Sequence, residues 1–362
     1  MTEPADPHHH FSHRQLLKPD TAAPGRLDAI VVPTNRPISY LRESMRLARE
    51  LDCLLLVLCS TWSNAGLVIS EAARAEVPTI AVDVPPRVRL PRPTADDVLL
   101  ETPFRSRSDT SMKRNIGLAV ARMMDGWQAI LFLDDDITVT ADDVRGAAGL
   151  LADYDAVGLA NTGFPDNSVV CHANREVSGQ QFQDTFIGAG ALLVPASGRS
   201  HFPHVYNEDW FFVFEHIRER RVALTGEAAQ RVYDPFDKPA RARRQEFGDC
   251  LAEGVFELLD DGRDLADAGL DFWRDYLGRR EAFIAAVMQR LPSLGVEDER
   301  RARMTESLRA AQNSRAEITP ELCVRYLDAW QHDRKVWGDF LADLPEFDSV
   351  RAALRHLKLV LP

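Results

Sequence analysis

The chain has 362 residues, 45% of them apolar and 27% charged, with a formal net charge of −12. That length exceeds most single domains, and the apolar fraction suffices for a substantial core. The acidic balance works against non-specific nucleic-acid binding, which depends on Lys and Arg neutralising phosphates, but it leaves room for a local basic pocket. The five cysteines, Cys53, Cys59, Cys171, Cys250 and Cys323, form no C-x-x-C pair. Neither a disulfide framework nor a zinc knuckle is suggested, and a reducing cytoplasm is the expected compartment. The longest apolar run, Cys53 to Cys59, is far below the ~18 residues of a membrane span, and no signal sequence is expected.

Residues 1–26 are rich in Pro, His, Asp and Thr without periodicity, which predicts a flexible lead-in. Its histidines, His8, His9, His10 and His13, read as solvated rather than as metal ligands. Asp28 to Pro33 is the first strand, ended by Thr34-Asn35-Arg36-Pro37 because proline cannot continue a central ladder. An amphipathic helix over 38–51 follows, with Leu41, Met45, Ala48 and Leu51 in its apolar stripe. Cys53–Cys59 is a second buried strand, 65–76 a short helix and 77–84 a third strand. This β-α-β-α-β order with short connections implies parallel strands and right-handed crossovers.

Residues 85–108 carry five prolines that forbid a long helix, with Arg87, Arg89, Arg92, Arg105 and Arg107 among them. The stretch reads as a surface loop or as a basic flap over a phosphate ligand. A helix from Asp109 to Met124 comes next, with Asp109 or Ser111 available to cap it. Lys113 and Arg114 fall in its first turn, where cations oppose the helix dipole unless an anion sits between them and the helix start.

Ala129 to Leu133 then runs straight into Asp134-Asp135-Asp136. A short continuous apolar run reads as a strand buried on both faces, and it puts the acids at the carboxyl end, where open α/β sheets bind ligands. Three adjacent carboxylates read as an acidic loop on an exposed strand end or as the site of a hard divalent cation such as Mg²⁺ or Mn²⁺, which neutralises them most readily. A helix near 141–152, a strand over 155–161, a polar irregular stretch over 162–185 and a strand from Phe186 to Pro195 are expected next. In that last strand Gly188 and Gly190 would lie on one face and leave room for a ligand or a close-packed neighbour. Asn207-Glu208-Asp209 opens an apolar helix that includes Trp210. The acids are capping material or a carboxylate general base beside an aromatic wall that would raise its pKa. A short strand at 222–225 and a turn-rich exit lead to helices at 243–260, 264–290, 297–313, 319–342 and 346–358.

In this order the motifs resemble the GT-A nucleotide-sugar glycosyltransferases, nearest the family 2 group. Pro33-Thr34-Asn35-Arg36-Pro37 is similar to the turn after the first strand where the nucleotide sits. Lys113-Arg114-Asn115-Ile116-Gly117-Leu118 is similar to the family's Arg-Asn-x-Gly-Leu helix, Asp134-Asp135-Asp136 to its D-x-D motif, and Glu208-Asp209 to its Glu-Asp pair. The resemblance covers residues 27–240. It implies an α/β, Rossmann-like GT-A fold with a mixed, mainly parallel sheet, extended by an all-helical region over 241–362. The implied reaction moves a sugar from a UDP- or GDP-sugar to an acceptor hydroxyl, inverting at the anomeric carbon. Asp209 is then the base and Glu208 the second choice. Asp136 and Asp134 hold Mn²⁺ or Mg²⁺. Pro33, Thr34, Asn35, Arg36, Asp83, Lys113, Arg114, Asp134 and Asp135 face the donor, while Gly188, Gly190 and Trp210 form the acceptor pocket. The segment after the second strand, Cys59 to Asn64, lacks the acid the family uses on the base, so Asp83 or stacking on Trp62 would take that part. A retaining transferase, a nucleotidyltransferase and a non-catalytic binding protein are the alternatives. Association through the C-terminal helices is a further expectation.

Overall fold

The computed structural model describes residues 13–162, 168–179 and 187–362. His8, His9 and His10, Phe186 and part of the expected polar stretch lie outside the described residues. One sheet contains β1 (Lys18–Pro19), β2 (Ala29–Thr34), β3 (Leu54–Cys59), β4 (Thr79–Asp83), β5 (Ala129–Leu133), β6 (Ile137–Val139), β7 (Ala156–Thr162), β8 (Ala191–Pro195) and β9 (Val222–Gln230). The order is β1-β9-β7-β8-β5-β2-β3-β4, with β6 paired to β9. β5, β2, β3 and β4 run parallel, as do β7, β9 and β1. β8 is antiparallel to both of its neighbours, so the mixed, mainly parallel sheet expected from the sequence is observed.

The helices are α1 (Arg42–Leu51), α2 (Ala65–Arg74), α3 (Thr94–Leu99), α4 (Thr110–Met123), α5 (Ala141–Leu150), α6 (Val169–Ser178), α7 (Glu208–Arg218), α8 (Pro239–Asp260), α9 (Leu270–Arg290), α10 (Asp298–Ala316), α11 (Pro320–Ala342) and α12 (Val350–His356). Successive residues of a strand face opposite sides, and β5 uses both. Ile130 and Phe132 enter a core built with α4, α7, α8 and the later helices, while Leu131 and Leu133 enter one beneath α1, α2 and α5. That double burial is why the strand has no polar alternation. The first core continues through Trp273, Tyr326 and Trp330 to Leu354, so the C-terminal helices share apolar packing with the sheet.

Helix α4 lies unusually close to the strands beneath it. A Cβ on Gly117 would stand 2.7 Å from Val31 and 3.0 Å from Phe132, so only glycine permits this approach. The approach carries the first turn of α4 to the carboxyl ends of β2 and β5.

Several expectations need correction. β2 runs on through Pro33 to Thr34, both paired to β3. The ladder to β5 stops at Val31, so the missing N–H of Pro33 breaks no bond there. Gly188 and Gly190 are not strand residues, because β8 begins at Ala191 and the glycines form the turn before it, closed by Ala191 N–H to Gly188 O. β9 does not end after four residues. Gly226, at φ +55°, is a bulge where the register with β7 shifts, and the strand resumes to Gln230 against β6. The loop 85–108 contains the short helix α3, whose first amides, Thr94 and Ala95, donate to Asp333 of α11. Residues 13–26 are not a free lead-in. β1 pairs with β9, and buried His13 bonds Asp260 and Glu253.

Candidate active site

β2 and β5 are neighbours whose chains depart in opposite directions across the sheet, which opens a crevice at their carboxyl ends. Asp134 is the first residue past the β5 ladder, and its amide donates to Gly190 O at 3.0 Å. Asp135 turns toward β2, where its carboxylate accepts from Thr34 Oγ1 at 2.5 Å and from Arg36 Nη1 at 2.8 Å. Asp136 meets the same Arg36 nitrogen at 2.8 Å. Burial pushes the Asp135 carboxyl up to about 6 against the opposing pull of Thr34 and Arg36. Burial and the charge of Asp134 also raise Asp136.

Neither cation of the first turn of α4 projects into solvent. Lys113 is 1% exposed. Its Nζ donates to Thr34 O at 2.8 Å and Ser60 Oγ at 2.7 Å and pairs with Asp109 at 3.0 Å, which ties the loops after β2 and β3 to the helix. Asp109 and Ser111, expected as caps, make no side-chain capping bond: Asp109 pairs with Lys113 and Ser111 donates to Pro203 O. Arg114, also buried, donates to Asp134 at 2.8 Å with one nitrogen and to Glu208 with another.

Glu208 and Asp209 occupy the first turn of α7, where acids complement the dipole. The chain enters through Asn207, held at φ +61° in the left-handed region, with its amide donating to Asp249 of α8 at 3.0 Å. Asp209 accepts the backbone N–H of Ala189 at 2.9 Å and of Trp210 at 3.0 Å. Burial raises both carboxyls, with Arg114 pulling each down. A cleft of about 250 Å³ is lined by Asp134, Arg114, Gly188, Gly190, Glu208 and Asp209, among others. A Cβ on Gly188 would reach 3.2 Å from Asp209 Oδ2, and one on Gly190 3.3 Å from Asp134 Oδ2. The two glycines therefore clear space directly over the two carboxylates.

The fold thus assembles two acidic segments far apart in sequence around one arginine. Thr34, Arg36, Asp135 and Asp136 form an adjoining cluster, and Asn35 lies beside it, its carbonyl accepting the Trp62 amide at 3.2 Å. Trp62 itself is 78% exposed. Other expected site residues do not face the cleft as free groups. Pro33 is buried in β2, Lys113 lies beneath the loops, and Asp83 accepts the Ala65 amide at the start of α2 at 2.9 Å. Trp210 touches the cleft but is buried, its ring edge-on to His13 at 5.3 Å. None of the five loop arginines of 85–108 lines the cleft, and Arg89 instead donates its amide to Leu357 O. Among the described residues no three His, Cys, Asp or Glu side chains converge as a metal cage, and the Asp136 carboxylate expected on a metal is turned to Arg36.

Asn161 and Gln230 are site residues that the sequence does not single out. They line the cleft from β7 and β9 and bond to each other at 3.3 Å. Their strands carry no sequence signal for this, since a polar residue near a strand end is ordinary.

No family model matches the chain, and no curated protein does. Among solved structures, Staphylococcus aureus TarS 1–349 in complex with UDP-GlcNAc is similar at a TM-score of 0.37 and 12% identity, covering 80% of this chain and 90% of that one. The same protein in complex with UDP is similar at 0.37 and 13%, with the same coverage. The galactosyltransferase LgtC, in complex with donor and acceptor sugar analogs, is similar at 0.30 and 14%, covering 54% of this chain and 72% of that one.

Proposed function

We propose that the chain transfers a sugar from a nucleoside diphosphate sugar to an acceptor hydroxyl with inversion, Asp209 serving as the base. One observation carries the reading: the carboxylate at the end of β5 and the pair opening α7 face one cleft and share Arg114. Such an arrangement separates a donor-side acid from an acceptor-side acid. Burial makes Asp209 a stronger base than an ordinary carboxylate. As the acceptor oxygen attacks the anomeric carbon, its proton passes to Asp209, and the bond to the diphosphate oxygen breaks with its electron pair leaving on the diphosphate. Arg114, bonded to both, offsets the repulsion between Glu208 and Asp134 while this happens.

The residues fit Mn²⁺ or Mg²⁺. Asp134 gives one oxygen to Arg114 and turns the other toward Gly190. Five carboxylates, Asp134, Asp135, Asp136, Glu208 and Asp209, share the two guanidinium groups of Arg36 and Arg114, and that surplus favours a further cation. Mg²⁺ binds in this sparing way, through one or two carboxylates with phosphate and water completing its shell. When bound it would offset the charge growing on the leaving diphosphate. Asp134 is its ligand in this reading, and Asp136 joins only by leaving Arg36. The exposed ring of Trp62, beside Asn35, is the surface offered to the base of a UDP or GDP moiety.

The decisive experiment is Asp209→Asn assayed with a panel of UDP- and GDP-sugars and Mn²⁺. General-base catalysis is worth roughly 10²–10⁴-fold, and turnover is expected to fall by about that much with donor affinity unchanged. An inverted anomer in the wild-type product completes the test. Lost donor affinity with intact turnover, or a retained anomer, defeats the assignment.

A further inference from the structure

We propose that a second pocket, farther along α7 from the cleft, binds a small oxyanion, a phosphate or carboxylate group. It has a volume of about 230 Å³ and is walled by His201 and Arg199 from the chain before α7, Phe212 and Glu215 of α7, and Arg334 and Gly338 of α11. No group in it takes part in the proposed transfer.

Three observations point to an anion. His201 is 2% exposed, and both its ring nitrogens are without a hydrogen-bond partner among the described residues. Buried imidazole nitrogens ordinarily find one, and a neutral imidazole keeps an N–H to donate. The ring is fixed by stacking flat on Trp337, 5.4 Å between centroids and 4° between planes, so it cannot swing to another partner without breaking that stack. The charge around it is also unbalanced. Glu215 pairs with Arg334, at 2.6 Å, and with Arg218, which also meets Asp264 at 3.5 Å, so exposed Arg199 at the rim is the cation that tips the balance. Arginine pairs well with phosphate and carboxylate oxygens. Burial and the nearby charge of Arg334 hold His201 neutral, down to about 3, so a bound anion would both accept its N–H and relieve that field. The α11 wall stands clear of the opposite rim, since even a Cβ on Gly338 would meet nothing closer than 4.0 Å.

The pocket reaches the chemistry through one helix. Asp209 and Trp210 face the cleft and Phe212 and Glu215 the pocket, so an occupant would brace the helix that carries the proposed base.

The test is calorimetric titration of the full chain with inorganic phosphate and, separately, with acetate, which tells a phosphate from a carboxylate preference. The variants are Arg199→Gln, at the exposed rim and so safe for folding, Arg334→Gln, and Arg36→Gln as a control in the cluster beside the cleft. At least tenfold weaker binding is expected in the first two and unchanged binding in the third. Hydrogen exchange on the wild type supplies a reading without substitutions: the preferred anion should slow exchange in peptides spanning 199–216 and 330–342. Failure of both anions to bind, loss only in Arg36→Gln, or exchange unchanged in those peptides overturns the proposal. None of these outcomes depends on glycosyl transfer.

Discussion

Replacing Arg114 with methionine tests the site's electrostatics without relying on any substrate. The side chain is 4% exposed and serves two carboxylates, Asp134 and Glu208, while its charge also steadies Asp209. Methionine keeps much of the volume and removes the charge. Taking one partner from a buried ion pair costs about 3–5 kcal/mol, because the other charge is stranded. Here two partners are stranded and a third carboxylate stands beside them. Two like charges ~4 Å apart repel by about 4 kcal/mol at an effective dielectric of ~20, so the upper part of the range is expected. The released desolvation cost of Arg114, and the unpaired Nε it carries, work the other way and keep the total from exceeding it.

The pH dependence gives this prediction its sharper edge. Glu208 and Asp209 hold protons more tightly folded than unfolded, burial being the first cause and Arg114 the main opposing one. Their contribution is therefore complete below their unfolded pKa values near ~4 and is lost as pH rises through the raised folded values. Without Arg114 those folded values climb further. Every tenfold tightening of proton binding deepens the loss at higher pH by about 1.4 kcal/mol. Urea denaturation at pH 5, 6, 7 and 8 should show Arg114→Met about 3–5 kcal/mol less stable at pH 8, with the deficit shrinking toward pH 5. A deficit under about 1 kcal/mol at pH 8, or one that is flat across the series, would show that the arginine does not neutralise buried acids.

Other substitutions probe the frame around that arginine. Gly117→Ala places a methyl 2.7 Å from Val31 and should cost about 1–3 kcal/mol by overpacking, read from urea midpoints at constant m. Asn207→Ala removes a residue type that tolerates φ +61° and breaks the bond to Asp249. A loss of about 1–3 kcal/mol is expected, with slower transfer as Glu208 and Asp209 lose their register. Gly190→Ala puts a methyl 3.3 Å from Asp134 Oδ2. It should cut kcat/KM by roughly 10–100-fold while the denaturation midpoint barely moves. Mn²⁺ added with UDP should raise the wild-type thermal midpoint by mass action, and Asp134→Asn should remove the increment that depends on the metal.

The sheet is legible in the sequence wherever its strands are apolar on both faces. β2, β3 and β5 carry uninterrupted runs because each is covered twice. On the far side β7 and β8 are still legible, but β6 and the full length of β9 are not. β6 is three residues long with one exposed, and β9 is interrupted at Gly226 by a bulge that looks like an ending. The glycines at 188 and 190 line the candidate cleft, although alternation misplaces them on a strand. Their role comes from the turn they form over Asp134 and Asp209, which is a tertiary fact. Asp83 and Lys113 are already engaged by the protein for a related reason. A charged residue at a strand or helix end meets ligand and protein backbone with equal ease, and here the Ala65 amide and the Thr34 carbonyl claim them.

The cations in the first turn of α4 bring the two levels together. Read alone, Lys113 and Arg114 oppose the helix dipole, and an anionic ligand is the natural remedy. The structure supplies protein anions instead: Asp109 for Lys113, and Asp134 with Glu208 for Arg114. The unfavourable placement is thus what links β2, β3, β5 and α7. It leaves the cleft with more carboxylate than cation, and under the proposed function that surplus, rather than a basic cradle, is what a metal-bound diphosphate would complete.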